Sequence, residues 1–395
     1  MPGGLGVRLL SGVAAFGLVV VPVSGGQAPP DYGLDWRTIG DPGNRGTLPE
    51  ETPGLPPSLG SIGSVAHKYR MTRTEITAGQ WFEFVQAYAP YYQGSTVSTA
   101  FRGPHIVYQG GSWVLVGPAN APTRMSWEYA ARYCNWLHND KAPEQAAFES
   151  GAYDTSTFTQ NPDGTWNHQA ERAAGALFWI PSLDEWTKAA HWDSGADHYW
   201  FNQGSQDEML ISGFPQNGGQ TNAGPNGGPI AVGSYPDVMS PWGLLDTSGG
   251  QSEWTETVPT GGVLNRRYSR GSFIGETSWD FTDPIAGVLT TSVFGSHAGF
   301  RLASVVPTPS EGGRAGYVRA VLHHATQMNA ATPPPTHPLT HSPTLPLSPS
   351  PRPRRVAAAT THPPTNTPAA RAPTHAAPNP TATLASAYAP ASAAR

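Results

Sequence analysis

Cysteine is almost missing from this chain: Cys134 is the only one in 395 residues. A single thiol excludes a disulfide within the chain and any metal site that needs a pair of cysteines. Charge is also scarce. Asp, Glu, Lys and Arg make up 13% of the sequence, against about 25% in an ordinary soluble domain. From Gly312 onward there is no Asp, Glu or Lys at all, but there are seven Arg. All 28 acidic residues and 16 of the 23 basic ones lie before it, which leaves that part at −12. A domain so acidic has no general attraction to nucleic acid. After the first few dozen residues no run is apolar enough to span a bilayer. No internal repeat and no βαβ rhythm is present, which argues against Rossmann and barrel enzymes. No G-x-S-x-G elbow and no P-loop spacing occurs.

What the chain does contain is Gly (45), Pro (41) and aromatic residues, 13 of them Trp. Such a composition describes a sizeable core threaded by long loops. Arg8 precedes an apolar run from Leu9 to Val23, and Gly26-Gln27-Ala28 offers small residues for cleavage. Residues 1–28 are therefore expected to be an export signal. The run is shorter than a membrane span and holds Gly and Pro, so no stable membrane anchor is expected. Asp35 to Asn44 reads as a short strand running into a turn, 45–63 as a Pro/Gly loop, and Val65 to Thr72 as a strand. Thr77 with Gln80 fits a capping box, and Trp81, Phe84, Val85 and Tyr88 fall on one helical face. A second helix is expected from Ser126, with Trp127, Ala130, Ala131 and Cys134 facing inward, where a thiol fills core. A third starts at Ser182, with Glu185 completing its capping box. Most of 193–241 reads as loop, and strand signals return at 230–235, 263–273 and 299–306. From Pro307 the sequence turns to Pro, Ala, Thr, Ser and His, too poor in large apolar groups to offset its ordering entropy. Residues 307–395 are expected to be a disordered tail.

Six words in order carry a resemblance. They are Tyr69-Arg-Met-Thr-Arg-Thr-Glu-Ile-Thr-Ala-Gly-Gln-Trp-Phe-Glu-Phe84, Pro122 to Leu137, and Ile180-Pro-Ser-Leu-Asp-Glu-Trp-Thr-Lys-Ala-Ala190. Next come Gly243-Leu-Leu-Asp-Thr-Ser-Gly-Gly-Gln-Ser-Glu-Trp254, Arg270-Gly-Ser-Phe273 and Gly299-Phe-Arg301. Together they resemble the formylglycine-generating enzyme, or sulfatase-modifying factor, family. That family writes them with E-V-T, V-S-W, R-L-P-T-E-A-E-W, G-L-Y-D-M-x-G-N-V-W-E-W, R-G-G-S-[FW] and G-F-R. The resemblance covers roughly 35–306 and implies an α+β, loop-rich, C-type-lectin-like fold. The opening Trp36 to Asn44 also resembles a secreted bacterial branch of the family, so an extracytoplasmic or secreted location is expected.

The resemblance also implies chemistry that the residues only partly supply. Catalytic members bind copper(I) through two cysteines that follow R-G-G-S-[FW], and soft thiolates suit that ion. The corresponding positions here are Gly275 and Asp280, so copper is not expected. Ser272 is kept, Ser252 replaces the aromatic before the Glu, and His297 replaces the Asn before G-F-R. Calcium is the cofactor the resemblance does support. The matching ligands are the carboxylates of Asp246 and Glu253 and the carbonyls of Gly249 and Gln251. Two carboxylates and two carbonyls within eight residues suit a hard cation. The competing reading has Asp246 capping a turn and Glu253 pairing with Arg266, Arg267 or Arg270. In a second calcium site of the family, over 217–229, Asn222 is the one persuasive ligand. Relatives that pair this fold with an iron-binding helical domain need H-x-x-x-H-x-E, which does not occur here.

Two functions follow. The first is an exported binding or structural module whose protein, peptide or glycan ligand sits in a cleft bordered by Ser272, Gly275, Asp280 and His297. The second is an enzyme, either a protein-cysteine oxidase of the family or a catalyst of another reaction in that cleft. Asp280 and His297 would then act as an acid/base pair or a harder metal site, against a plainer role in loop hydrogen bonding.

Overall fold

In a computed structural model of the chain, residues 28–202, 208–274 and 287–307 are described. The expected signal segment (1–27 of it), the tail from 308, and both Gly275 and Asp280 lie outside the described residues. The helices are α1 (Ala78–Tyr88), α2 (Thr99–Arg102), α3 (Trp127–His138), α4 (Ala146–Glu149) and α5 (Leu183–His191). The strands are β1 (Trp36–Ile39), β2 (Tyr69–Thr72), β3 (Ile106–Gln109), β4 (Ser112–Leu115), β5 (Phe178–Trp179), β6 (Trp192–Asp193), β7 (His198–Tyr199), β8 (Glu253–Trp254), β9 (Arg266–Arg270), β10 (Leu289–Ser292) and β11 (Ala303–Ser304). Short helices and scattered strands joined by long loops make this the α+β, loop-rich architecture that the composition implied.

The three longer helices begin where their side chains can cap them. Thr77 accepts from the Gln80 amide, and Gln80 returns a bond to the Thr77 amide. Ser182 and Glu185 do the same for α5. Ser126 accepts from the Tyr129 amide at the start of α3. Each cap satisfies donors that a helix start otherwise leaves orphaned. The faces then bury as their periodicity requires: Ala78, Trp81, Phe84, Val85 and Tyr88 on α1, and Trp127, Ala130, Ala131 and Cys134 on α3.

The main sheet has the order β1-β2-β11-β5, antiparallel throughout. The strand nearest the C-terminus therefore sits between β2 and β5. A second sheet, β10-β9-β8, carries Glu253 and Trp254. Between these elements lies an aromatic core whose indoles also need hydrogen-bond partners. Trp81 Nε1 donates to the Phe101 carbonyl (2.9 Å), Trp127 Nε1 to Thr255 (3.1 Å) and Trp254 Nε1 to Met125 (2.9 Å). These bonds tie α1, α3 and β8 into one core. The strand expected at 230–235 does not form. That stretch is a run of turns, held at Val232 by the Asn120 carbonyl. No helix among the described residues is long and apolar enough to cross a membrane.

Candidate functional site: a buried carboxylate centre

The turn from Leu244 to Trp254 brings three carboxylates under the core. Asp246 takes a left-handed backbone (φ 54°), a conformation Asp tolerates better than most residues. Its Oδ2 accepts from the Gly233 amide. Burial raises its carboxyl above the ordinary range, against the opposing effects of that amide and of Arg301 and Arg73. Glu253, at the start of β8, is 1% exposed. Its oxygens accept from Arg301 Nε at 2.8 and 2.9 Å and from Trp186 Nε1 at 2.7 Å. Glu253 stands opposite Arg270 in the β8–β9 register, and both side chains reach Trp186. The Arg301 guanidinium, from the Gly-Phe-Arg word, is an ion-pair partner of Glu253, where the competing reading named Arg266, Arg267 or Arg270.

Glu75 is the third carboxylate, and the motif reading treated it only as scaffold. Its Oε1 accepts from the Gln251 amide at 2.7 Å, while its buried Oε2 has no partner. Burial, with Glu253 close by, drives the Glu75 carboxyl well above the usual range, and Arg301 opposes the shift. Close approach is possible because position 250 is glycine: a Cβ there would lie 2.2 Å from Glu75 Oε2. Asn222 braces the same turn, accepting from the Gly250 amide at 2.7 Å. Glu75, Asn222, Asp246 and Gly250 line a hollow of about 10 Å³, close to the space one water or small ion needs.

Of the other expected residues, Ser272 and His297 border the same turn, the Ser272 carbonyl accepting from the Gly249 amide at 3.1 Å and the His297 carbonyl from the Ser252 hydroxyl at 3.5 Å. Ser272 is buried, with its hydroxyl 3.0 Å from that of Ser248. His297 is exposed. The expected cleft also draws on Gly275 and Asp280, which lie outside the described residues. Cys134 is wholly buried on α3, and burial, reinforced by Glu256, pushes its thiol well above the ordinary value. It is core filling, held in the protonated form. Among the described residues no three His, Cys, Asp or Glu side chains are arranged to hold a metal ion. A cation at the turn would therefore need backbone carbonyls as well as carboxylates.

A turn of this kind, closed by an Arg from Gly-Phe-Arg and set on a loop-rich α+β scaffold, defines a sulfatase-modifying-factor class of domain. The domain described as "Sulfatase-modifying factor enzyme 1-like domain" matches residues 61–306. The chain belongs to that family. Among solved structures it is similar to CarF, with 18% identity and a TM-score of 0.44, over 69% of this chain and 98% of that one. It is also similar to PvdO from Pseudomonas aeruginosa, with 16% identity and a TM-score of 0.38, over 69% and 92%. No curated protein matches it.

Proposed function

We propose that this chain is an exported member of the family that acts as a binding or structural module, without the copper-dependent oxidation of protein cysteine. The observation that carries this reading is the thiol inventory. Copper(I) chemistry at this site needs two thiolates. The chain has one cysteine, and it lies protonated in the core of α3. The residues at the two family positions, Gly275 and Asp280, supply no sulfur. The copper ion therefore does not fit the donors present.

Calcium suits the chain's donors better. The Asp246 and Glu253 carboxylates and the Gly249 and Gln251 carbonyls are all oxygen donors, as a hard cation prefers. The unpartnered Glu75 Oε2 adds another, and Arg301 is the guanidinium bonded at this centre. Bound calcium would neutralise excess buried negative charge and tie the 246–253 turn to α1 through Glu75.

The test uses the full-length protein with copper(I), oxygen and a peptide containing C-x-P-x-R. Mass spectrometry of the peptide should show no conversion of cysteine to formylglycine while a family oxidase in parallel converts it. Conversion by this chain would overturn the reading and make it an enzyme that works without the thiolate pair.

A further inference from the structure

A cleft of about 830 Å³ opens on another part of the scaffold, over the start of α5. One wall is Ser64, Val65, Ala66 and His67, and the other is the small-residue loop 170–175. The floor is Trp179, Glu185 and Glu256, with Arg172 reaching down into it. No family word used above places a function here.

Counting donors and acceptors shows what the cleft lacks. Glu185 is saturated. Its oxygens accept from His67 Nε2 (2.9 Å), Arg172 Nη2 (2.8 Å), Trp179 Nε1 (3.0 Å), the Ser182 amide (2.8 Å) and, more weakly, Arg172 Nη1 (3.3 Å). Among the described residues Glu256 accepts from the Arg172 amide and from Arg172 Nη1 (2.7 Å). Two buried carboxylates thus share one guanidinium. A carboxylate only accepts, so His67 Nε2 carries the hydrogen of its contact with Glu185. Asp184, which accepts from the Gly63 amide at 2.7 Å, adds another carboxylate to the lining, and Glu171 a further one. The spare capacity of these side chains is for accepting hydrogen bonds, and Arg172, the lining's one Lys or Arg, is already committed to Glu185 and Glu256.

We infer that this cleft binds an organic cation bearing N–H donors, an alkylammonium or guanidinium group, which adds positive charge to the one guanidinium that Glu185 and Glu256 share. This names a ligand class for the binding module proposed above and rests on that reading. The cost of sharing one guanidinium shows on Glu256. Burial, with Glu185 adding to it, brings its carboxyl up to about 7 in spite of Arg172. A ligand cation would favour the ionised form and displace the proton. Affinity should therefore rise with pH through neutrality. The small residues of the 170–175 wall leave the space above the floor unfilled by the protein's own side chains.

The experiment is calorimetric titration of the full-length protein, in about 150 mM salt to screen diffuse attraction to an acidic domain. The probes are N-acetyl-arginine amide, N-acetyl-lysine amide and the neutral N-acetyl-citrulline amide. The two cations should bind saturably, with one favoured according to whether guanidinium or ammonium is the better fit, and citrulline amide should not. Between pH 6 and 8 a group titrating near 7 goes from about one-tenth to about nine-tenths ionised, so affinity should rise close to tenfold. Glu256→Gln should weaken binding and remove the pH dependence. Should that variant fold poorly, Glu171→Gln on the exposed wall should weaken binding by loss of one carboxylate. Equal binding of citrulline amide, no saturable binding of either cation at pH 8, or unchanged binding in these variants would overturn the inference. Because no cysteine peptide is involved, that failure would leave the oxidase assay and its conclusion standing.

Discussion

Single residues carry most of the electrostatic load here, and Glu256 has a consequence for stability as well as for binding. Its carboxyl sits near 7 in the folded chain, raised by burial, against an ordinary value of 4.5. Between those two pH values the folded state keeps a proton that the unfolded chain has shed. Stability from this group is thus full below about 4.5 and declines as pH rises through 7, by roughly 3 kcal/mol in all. Glu51 works the other way. Burial alone would raise it, but Arg45 and the Leu48 and Tyr199 amides bring it down to about 2, so its contribution is lost as pH falls from 4.5 toward 2. Urea unfolding of wild type and Glu256→Gln at pH 5 and pH 8 separates the two effects. Wild type should lose roughly 2 to 3 kcal/mol relative to the variant between the two conditions, and parallel pH profiles would refute the assignment. None of this was visible in the sequence. Glu256 lies two residues beyond the family word that ends at Trp254, and only its burial beside Glu185 and Arg172, the latter 84 residues earlier, makes it unusual.

At the level of the element, local chemistry was legible where a segment specifies itself. Thr77, Ser126 and Ser182 cap the helices they were expected to cap, because a hydroxyl three residues before a free amide needs no tertiary partner. The apolar faces of α1 and α3 follow from the 3.6 period alone. Pairings set by distant strands were not legible. The β3–β4 hairpin was missed, the strand expected at 230–235 is a series of turns, and Glu253 takes Arg301, 48 residues away, as an ion-pair partner. The 246–253 turn is where element and proposed cofactor meet. If calcium binds it, EDTA should lower the melting temperature of the wild-type chain, and added calcium should restore it. Asp246→Asn is the discriminating variant, since Asn also tolerates the left-handed backbone and can accept from the Gly233 amide. It should be insensitive to EDTA. Glu253→Ala is a poorer probe because it strands Arg301 in the core, which by itself costs about 3–5 kcal/mol. A wild-type melting temperature that ignores EDTA would refute the calcium reading.

The whole molecule closes through its last described strand. β11 pairs with β2 on one side and β5 on the other, so Ala303 and Ser304 hold the main sheet together although they come more than 200 residues after β2. The family match ends at 306 and the core does not draw on described residues beyond 305. The composition break at Pro307 follows directly on the end of that match. The charge asymmetry falls there too, with −12 before Gly312 and seven Arg after it. Two truncations test whether topology, rather than chain length, sets stability. A chain ending at Pro307 should keep the circular dichroism spectrum of the full-length protein and melt within about 2 °C of it, because every strand of the β1-β2-β11-β5 sheet remains. A chain ending at Leu302 removes only five more residues, yet it leaves β2 and β5 with unpaired edges across the gap and takes Ala303 out of the core. It should fail to give a cooperative melt. Equal stability of the two chains would mean that β11 is dispensable and that the sheet order does not describe what holds this protein together.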